Sequence, residues 1–279
     1  MVIKRTKHPT MNLIYKYIVM NVCSLSPERL AELKTRIKQK NKNKTHKYKR
    51  IKLPYKQIVS VIPLHLYQVW HNLNEIPQDI QESIDAIQKQ NPEFEHHLYD
   101  EKKCRRYIQT HFPSHVLDAY DAIVPHAYKA DLWRYCILYK KGGIYLDSKY
   151  CGMDGFKLLQ LTDKEYFCKD IENSFSGIYN AILVCKPNNP ILLKCIHKVV
   201  ENVQNKYYGS NPMCIGPLMM KSLFTEQEIS KFELSHETVK HRLTRYICLN
   251  GVRILKCKKN KVHHLSHWSN DWREHTMYK

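Results

Sequence analysis

The segment from Lys129 to Tyr150, KADLWRYCILYKKGGIYLDSKY, limits the possible folds of this chain more than any other part. Apolar residues recur at helical spacing in its first half, and Asp131 and Arg134 fall three residues apart on one face of that helix. A Gly-Gly pair then ends the helix, and the β-prone run at 144–146 follows. In open α/β sheets ligands bind at the carboxyl ends of strands, so Asp147 is predicted to be a site residue.

Strand and helix patterns alternate through most of the remaining sequence. Strands are predicted at 61–70, 94–99, 164–168, 179–185 and 247–255, and helices at 77–90, 101–110, 114–123 and 190–202. This alternation is typical of an α/β fold with a mixed, mainly parallel sheet flanked by helices.

The N-terminal part of the chain is strongly basic. The net charge is +19, and the segment 34–52 contains ten Lys or Arg and no acidic residue. Such a charge attracts phosphate groups, so this segment is either an arm that contacts a polyanion or an anionic membrane, or a solvated basic tail. Because the composition changes near Pro54, we divide the chain into a basic extension, 1–53, partly helical or flexible, and a domain, 54–279.

The cysteines indicate the compartment. Ten of them are scattered without any C-x-x-C pair, which argues against a zinc module and against a disulfide framework. The apolar run at 11–23 is interrupted by Lys16 and is too short to span a bilayer. We therefore expect a cytoplasmic protein without a signal peptide or transmembrane helix. Association with a membrane or a viral factory stays open, because the composition is rich in Lys and Asn.

Four patches of the chain, in this order, resemble glycosyltransferase family 32, whose members have the Rossmann-like GT-A fold. The specific patch is ADLWRYCILYKKGGIYLD, similar to the family's A-D-x-x-R-Y and G-G-x-Y-x-D core. The others are IPLHLYQVWHN, similar to its first strand, CIGPLMM, similar to its T-G-P segment, and HWSNDW, similar to its H-x-S-x-S-W segment. The family includes the fungal initiating α-1,6-mannosyltransferase, and it transfers sugars with retention of anomeric configuration.

The resemblance implies roles for individual residues. Asp131 and Arg134 would bind the donor sugar, and Asn180 would lie beside the anomeric carbon. The nucleotide-binding residues would be Val69, Trp70, Tyr145, Ser269 and Trp272, with the last two on a C-terminal lid, 262–279. From the strand pattern alone, Trp70 is as well explained by core packing as by stacking on a nucleobase.

The sequence departs from the family at the Asp-x-Asp motif, where it has Asp147-Ser148-Lys149. In the family the second Asp coordinates Mn²⁺ or Mg²⁺, which neutralises the diphosphate of the leaving group. Three alternatives remain: Asp147 binds the metal together with His267, Lys149 supplies the positive charge itself, or activity is lost.

The resemblance predicts a retaining hexosyltransferase that uses a UDP-sugar or GDP-sugar donor and a glycan, glycolipid or protein-linked acceptor, as in polysaccharide biosynthesis. A different class of function also agrees with Lys149 and the basic segment. In that alternative the fold has lost catalysis and serves as a module that binds polyanions or membranes.

Overall fold

The structure is a computed structural model that describes residues 59–170, 177–209, 214–239, 244–257 and 268–279. The predicted basic extension, 1–53, lies outside these residues. The predicted lid, 262–279, is described only from residue 268 onward, and the side chains of Trp268 and Ser269 are not described.

The described residues form nine strands and eight α-helices. The strands are β1 (His65–Val69), β2 (Glu95–Tyr99), β3 (Gly143–Leu146), β4 (Tyr150–Gly152), β5 (Tyr166–Asp170), β6 (Ile178–Cys185), β7 (Leu234–Val239), β8 (Thr244–Leu249) and β9 (Val252–Cys257). The helices are α1 (Gln78–Gln90), α2 (Glu101–His111), α3 (Ser114–Ala122), α4 (His126–Lys141), α5 (Pro190–Gln204), α6 (Pro217–Lys221), α7 (Glu226–Ser230) and α8 (Trp268–Arg273). Short 3₁₀ turns lie at Leu73–Glu75 and Leu158–Leu161.

All nine strands belong to one sheet, with the order β2-β1-β3-β6-β5-β7-β8-β9-β4. The pairs β1–β2, β1–β3 and β5–β7 are parallel, and the remaining five pairs are antiparallel. The predicted α/β class with a mixed sheet and flanking helices is confirmed. The expectation that parallel pairs predominate was wrong, because β6, β8 and β9 in the second half of the chain pair antiparallel with their neighbours.

The late strand predicted at 247–255 is in fact a hairpin. Strands β8 and β9 pair antiparallel, and Asn250 and Gly251 connect them with φ of 49° and 79°. Asn-Gly is the preferred dipeptide for a two-residue hairpin turn, because both of its central residues take positive φ. That dipeptide was the local signal for a chain reversal.

Helix α4 and strand β3 form the centre of the domain as the sequence predicts. Helix α4 is buried without interruption from Asp131 to Leu138, and β3 is buried along its whole length between β1 and β6. The helix ends at Gly142, with φ of +66°, where a Cβ would lie 2.6 Å from the ring of Pro187. Glycine is therefore required there for both its φ and its size, and it fixes where β3 begins.

The described helices do not include one that is both long enough and apolar enough to cross a membrane.

Candidate active site

The carboxyl ends of β1 and β3 lie side by side because these two strands are parallel neighbours. The hydroxyl of Ser148 donates a hydrogen bond to the Val69 carbonyl at 2.8 Å and joins the two strand ends. Trp70, which follows β1, and Asp147, which follows β3, both line a cavity of about 200 Å³ at this edge. Pockets for drug-sized ligands span about 300–1,000 Å³, so this cavity has room for part of such a ligand. Trp70 and Asp147 therefore lie at the same edge of the sheet.

Asp147 is held between two cationic side chains. The Lys149 ammonium lies 3.0 Å from its Oδ2, and an Arg134 guanidinium nitrogen lies 3.7 Å from its Oδ1. The Tyr145 hydroxyl donates to Oδ1 at 3.0 Å. Burial works to raise the pKa of Asp147, but Lys149 and Arg134 outweigh it, and the pKa lies below its usual value. Asp147 is therefore an ionised carboxylate whose two oxygens both have partners.

Arg134 contacts three other predicted site residues, Asp131, Asn180 and Tyr145. Its guanidinium lies 3.4 Å from Asp131 Oδ1, donates to the backbone carbonyl of Asn180, and stacks over the Tyr145 ring with its central carbon 4.2 Å from the ring centroid. Its Nε donates to the Ala130 carbonyl within the helix. These contacts come from α4, β3 and β6, so the planar guanidinium holds one fixed orientation.

Asp131 and Asn180 form a second polar contact at the same place. The Asn180 amide nitrogen lies 3.3 Å from Asp131 Oδ1 and 2.5 Å from the Tyr135 hydroxyl. Burial raises the pKa of Asp131, and Arg134 opposes that rise. The buried Asn180 Oδ1 has no hydrogen-bond partner among the described residues. Buried amide oxygens are normally paired, so this unpaired oxygen is an unusual feature of the site.

The backbone at Gly216 packs directly against this pair. A Cβ at this position would lie 2.5 Å from Asp131 Oδ2 and 3.3 Å from the Asn180 amide nitrogen. The glycine of the CIGPLMM patch therefore leaves the space that the Asp131 carboxylate occupies. Sequence analysis identified the patch, but it gave no indication of which residue Gly216 would contact.

Four polar residues of the cavity wall were missed by sequence analysis: His71, Glu101, His126 and Lys129. Glu101 accepts from His126 at 2.6 Å and is paired with Lys129, and the rings of His71 and His126 stack with centroids 5.2 Å apart. The hydrogen bond from His126 is the main reason that the pKa of Glu101 falls to about 2. Helical spacing could have identified His126, because it lies two turns before Arg134 on the same helix, α4.

Among the predicted residues whose side chains are described, three do not line the cavity: Asp131, Asn180 and Trp272. Asp131 and Asn180 are buried and contact Arg134, which does line it. The Trp272 indole donates to the Tyr208 carbonyl at 2.6 Å and packs against the hydrophobic core. His267 and the side chain of Ser269 lie outside the described residues. The predicted roles of Ser269 and Trp272 in the lid, and of His267 in metal binding, therefore remain predictions.

The described residues do not fit a divalent cation at Asp147. Both oxygens of its carboxylate already have partners, and the position of the second acidic ligand is taken by Lys149, whose ammonium lies 3.0 Å away. The partly buried ion pair raises the pKa of Lys149 further above its usual value, so the side chain stays protonated and cannot donate a lone pair. The charge next to Asp147 is supplied by the chain itself.

Comparison with known proteins shows what this region resembles. A family model described as a glycosyltransferase sugar-binding region containing a DXD motif matches residues 77–151. An uncharacterized glycosyltransferase, L373, of Acanthamoeba polyphaga mimivirus is 29% identical over 133 residues, which are 47% of this chain and 53% of that protein. Inositol phosphoceramide mannosyltransferase 3 of Schizosaccharomyces pombe is 29% identical over 174 residues, 61% of this chain and 47% of that protein.

The putative glycosyltransferase HOC1 of Saccharomyces cerevisiae is 29% identical over 96 residues, 34% of this chain and 24% of that protein. Among solved structures, the PaToxG glycosyltransferase aligns with a TM-score of 0.46 at 18% identity, over 61% of this chain and 70% of that one. The chain spans about half the length of the first curated relatives that it matches. The matched segment 77–151 contains Asp131, Arg134, Asp147 and Lys149, and the resemblance to sugar-transferring glycosyltransferases of the family-32 type is confirmed for this sugar-binding region.

Proposed function

We propose that this protein is a retaining glycosyltransferase that moves a hexose from a nucleoside-diphosphate sugar to a glycan, glycolipid or protein-linked acceptor. The observation that carries the proposal is the group of buried Asp131 and Arg134 and half-buried Asp147 at the shared edge of β1 and β3. This group lies in the segment that resembles a glycosyltransferase sugar-binding region.

The donor sugar binds between Asp131, Arg134 and Asn180. A carboxylate accepts from two neighbouring hydroxyls, and a guanidinium donates in a fixed fork, so together they recognise a ring with vicinal hydroxyls. The Asn180 Oδ1, which has no hydrogen-bond partner among the described residues, adds an acceptor next to Asp131. Because all three side chains are buried and packed, little conformational entropy is lost when the sugar binds.

The nucleotide lies toward the mouth of the cavity. Trp70 offers an aromatic face for the base, and the Val69 backbone and Tyr145 line the same wall. The His71 ring lies between Trp70 and His126, with its centroid 5.2 Å from the centroid of each. These residues provide stacking surface and hydrogen-bond donors to the nucleoside.

The diphosphate binds at Lys149. Its ammonium keeps donors free beyond the one directed at Asp147, and fixed positive charge at the leaving group stabilises the transition state. When the diphosphate departs, it leaves its negative charge beside Lys149. The acceptor hydroxyl then attacks from the same face and gives its proton to the departing diphosphate oxygen, which retains the anomeric configuration without a protein nucleophile.

A donor panel tests the proposal. Purified full-length chain is incubated with GDP-mannose, UDP-glucose, UDP-galactose or UDP-N-acetylglucosamine, and release of the nucleoside diphosphate is measured. The relative named as a mannosyltransferase makes GDP-mannose the first choice. Asp147→Ala should abolish release, whereas Asp118→Ala, at an exposed position on α3, should leave it unchanged. Absence of both donor binding and turnover across the panel would refute the proposal.

The same assay with chelator and with Mn²⁺ tests the role of Lys149. We expect turnover in chelator to remain close to that in Mn²⁺, and Lys149→Ala to reduce it about 100- to 1,000-fold, as removal of one transition-state donor does elsewhere. Lys164→Ala is the matched control, because Lys164 pairs with Glu233 on the surface. Strict dependence on Mn²⁺ in the wild type would favour a metal held by Asp147 and His267.

A second function rests on the ten Lys or Arg between 34 and 52. In this alternative the fold has lost catalysis, and the basic segment binds a polyanion or an anionic membrane. Deleting residues 1–52 distinguishes the two. If salt-sensitive binding is lost while donor turnover persists, the segment is accessory; if the full chain binds polyanion but turns over none of the donors, binding is the function.

A further inference from the structure

A cluster of two histidines and one glutamate lies at the other end of β1, away from the sugar cavity. It consists of His65 on β1 and of Glu95 and His97 on β2. Val69, at the cavity end of β1, is four residues from His65, which is about 13 Å along a strand. The cluster therefore has no part in the site proposed for the donor.

The parallel pairing of β1 and β2 brings these three side chains to one face of the sheet. His65 is the direct neighbour of Glu95, and Tyr67 is the direct neighbour of His97. Side chains alternate between the two faces of a strand, so His65, Tyr67, Glu95 and His97 all point to the same side. The Tyr67 ring stacks on His97 with centroids 4.8 Å apart and an interplanar angle of 15°, which fixes the orientation of that imidazole.

The distances between the potential ligand atoms fit a tetrahedral metal site. His65 Nδ1 lies 3.2 Å from His97 Nε2, Glu95 Oε2 lies 3.3 Å from His65 Nδ1, and Glu95 Oε1 lies 3.5 Å from His97 Nε2. Two ligands at about 2.0–2.1 Å from a tetrahedral Zn²⁺ are themselves about 3.4 Å apart. The three groups are thus already spaced as three corners of a zinc coordination sphere.

We propose that His65, Glu95 and His97 bind a first-row transition-metal dication of the Zn²⁺ class, with water in the remaining position. Two imidazoles and one carboxylate suit Zn²⁺ better than Mg²⁺ or Ca²⁺, which need more oxygen ligands. The side chains of His65 and His97 are 31% and 24% exposed, so an ion can reach them without any rearrangement of the fold.

The bound ion ties an edge strand to the sheet. Among the described strands, β2 is the terminal strand in the sheet order, with β1 as its single neighbour. An ion bridging β1 and β2 adds a link that the unfolded chain lacks, so metal binding stabilises the fold. The role is structural, and it needs no donor or acceptor substrate.

Zinc titration of the full-length chain tests the proposal independently of transferase activity. Protein stripped with a chelator is titrated with Zn²⁺ against a chromophoric competitor, and Co²⁺ replaces Zn²⁺ to give the visible spectrum of a tetrahedral site. We expect one micromolar or tighter site, and a rise of several degrees in Tm when zinc is in large excess over Kd. His97→Gln and Glu95→Gln should each weaken this site at least tenfold.

His115→Gln, at an exposed position on α3, is the matched control and should bind zinc as the wild type does. Each variant is first compared with the wild type in chelator, where equal circular dichroism and Tm show that it folds. Glu95 is 67% exposed, so Glu95→Gln serves if His97→Gln is unstable. Zinc binding that persists unchanged in either folded ligand variant, or a wild type without a micromolar site, overturns the proposal.

Discussion

Replacing Gly216 with alanine gives a sharp test of how the proposed sugar-binding residues are positioned. The added Cβ would lie 2.5 Å from Asp131 Oδ2 and 3.1 Å from its Cγ. Since van der Waals contacts to carbon are about 3.5 Å or longer, the carboxylate must move by about 1 Å.

The displacement would act on activity more than on stability. Asp131 is held by Asn180 at 3.3 Å and by Arg134 at 3.4 Å, so a shift of this size breaks one or both contacts. Overpacking of a buried site costs about 1–3 kcal/mol, which lowers Tm by several degrees in a domain of this size. A 1 Å misplacement of a group that positions substrate reduces turnover about 100-fold.

The assay is release of nucleoside diphosphate by Gly216→Ala, together with Tm. Gly155→Ala is the control: it has φ of +76° and open space around a Cβ, so it should lower stability slightly and leave turnover unchanged. In an Asp131→Ala background, Gly216→Ala should have little further effect, because the group that it displaces is already absent. Wild-type turnover in Gly216→Ala, or an equal loss in both backgrounds, would refute this reasoning.

Three further outcomes can be checked with the same material. Arg134→Lys keeps the charge but not the planar fork, so turnover should fall at least tenfold in a protein that still binds nucleotide, as measured by donor kinetics. Tyr145→Phe removes one hydrogen bond to Asp147 and should cost about tenfold in turnover. The pKa of Glu101 falls from 4.5 to about 2, mainly through its hydrogen bond from His126. Its stabilisation is thus complete above pH 4.5 and lost as the pH falls toward 2, so the Tm advantage over Glu101→Gln should shrink across that range.

The sequence predicted the parts of the site that local chemistry determines. Helical spacing placed Asp131 and Arg134 on one face, and the Gly-Gly break placed Asp147 at a strand end; both match the structure because α4 and β3 are adjacent along the chain. The contact of Gly216 with Asp131 joins residues 85 positions apart, and no local pattern encodes it. The prediction of a mainly parallel sheet was wrong for the same reason, because the order and direction of the strands depend on pairing between residues far apart in the sequence.

The charges at the proposed sugar site account for its most unusual residue, Lys149. Asp131 and Asp147 face Arg134 and Lys149, so the described centre is close to neutral. Replacing the second aspartate of the family motif with lysine removes one negative charge and adds one positive charge. That change of +2 equals the charge of the divalent cation that the motif normally binds. Electrostatically, Lys149 can therefore take the place of the metal without any further compensating residue.

This argument leads to an expectation about the reverse substitution. Lys149→Asp restores Asp-x-Asp and places two carboxylates next to each other, which repel unless a cation lies between them. The variant should therefore gain Mn²⁺ binding and should turn over donor only when Mn²⁺ is present, whereas Lys149→Ala should stay inactive with or without the ion. Calorimetric titration with Mn²⁺ and donor turnover measure the two effects separately. If Lys149→Asp is as active in chelator as the wild type, positive charge at residue 149 is not what neutralises the leaving group.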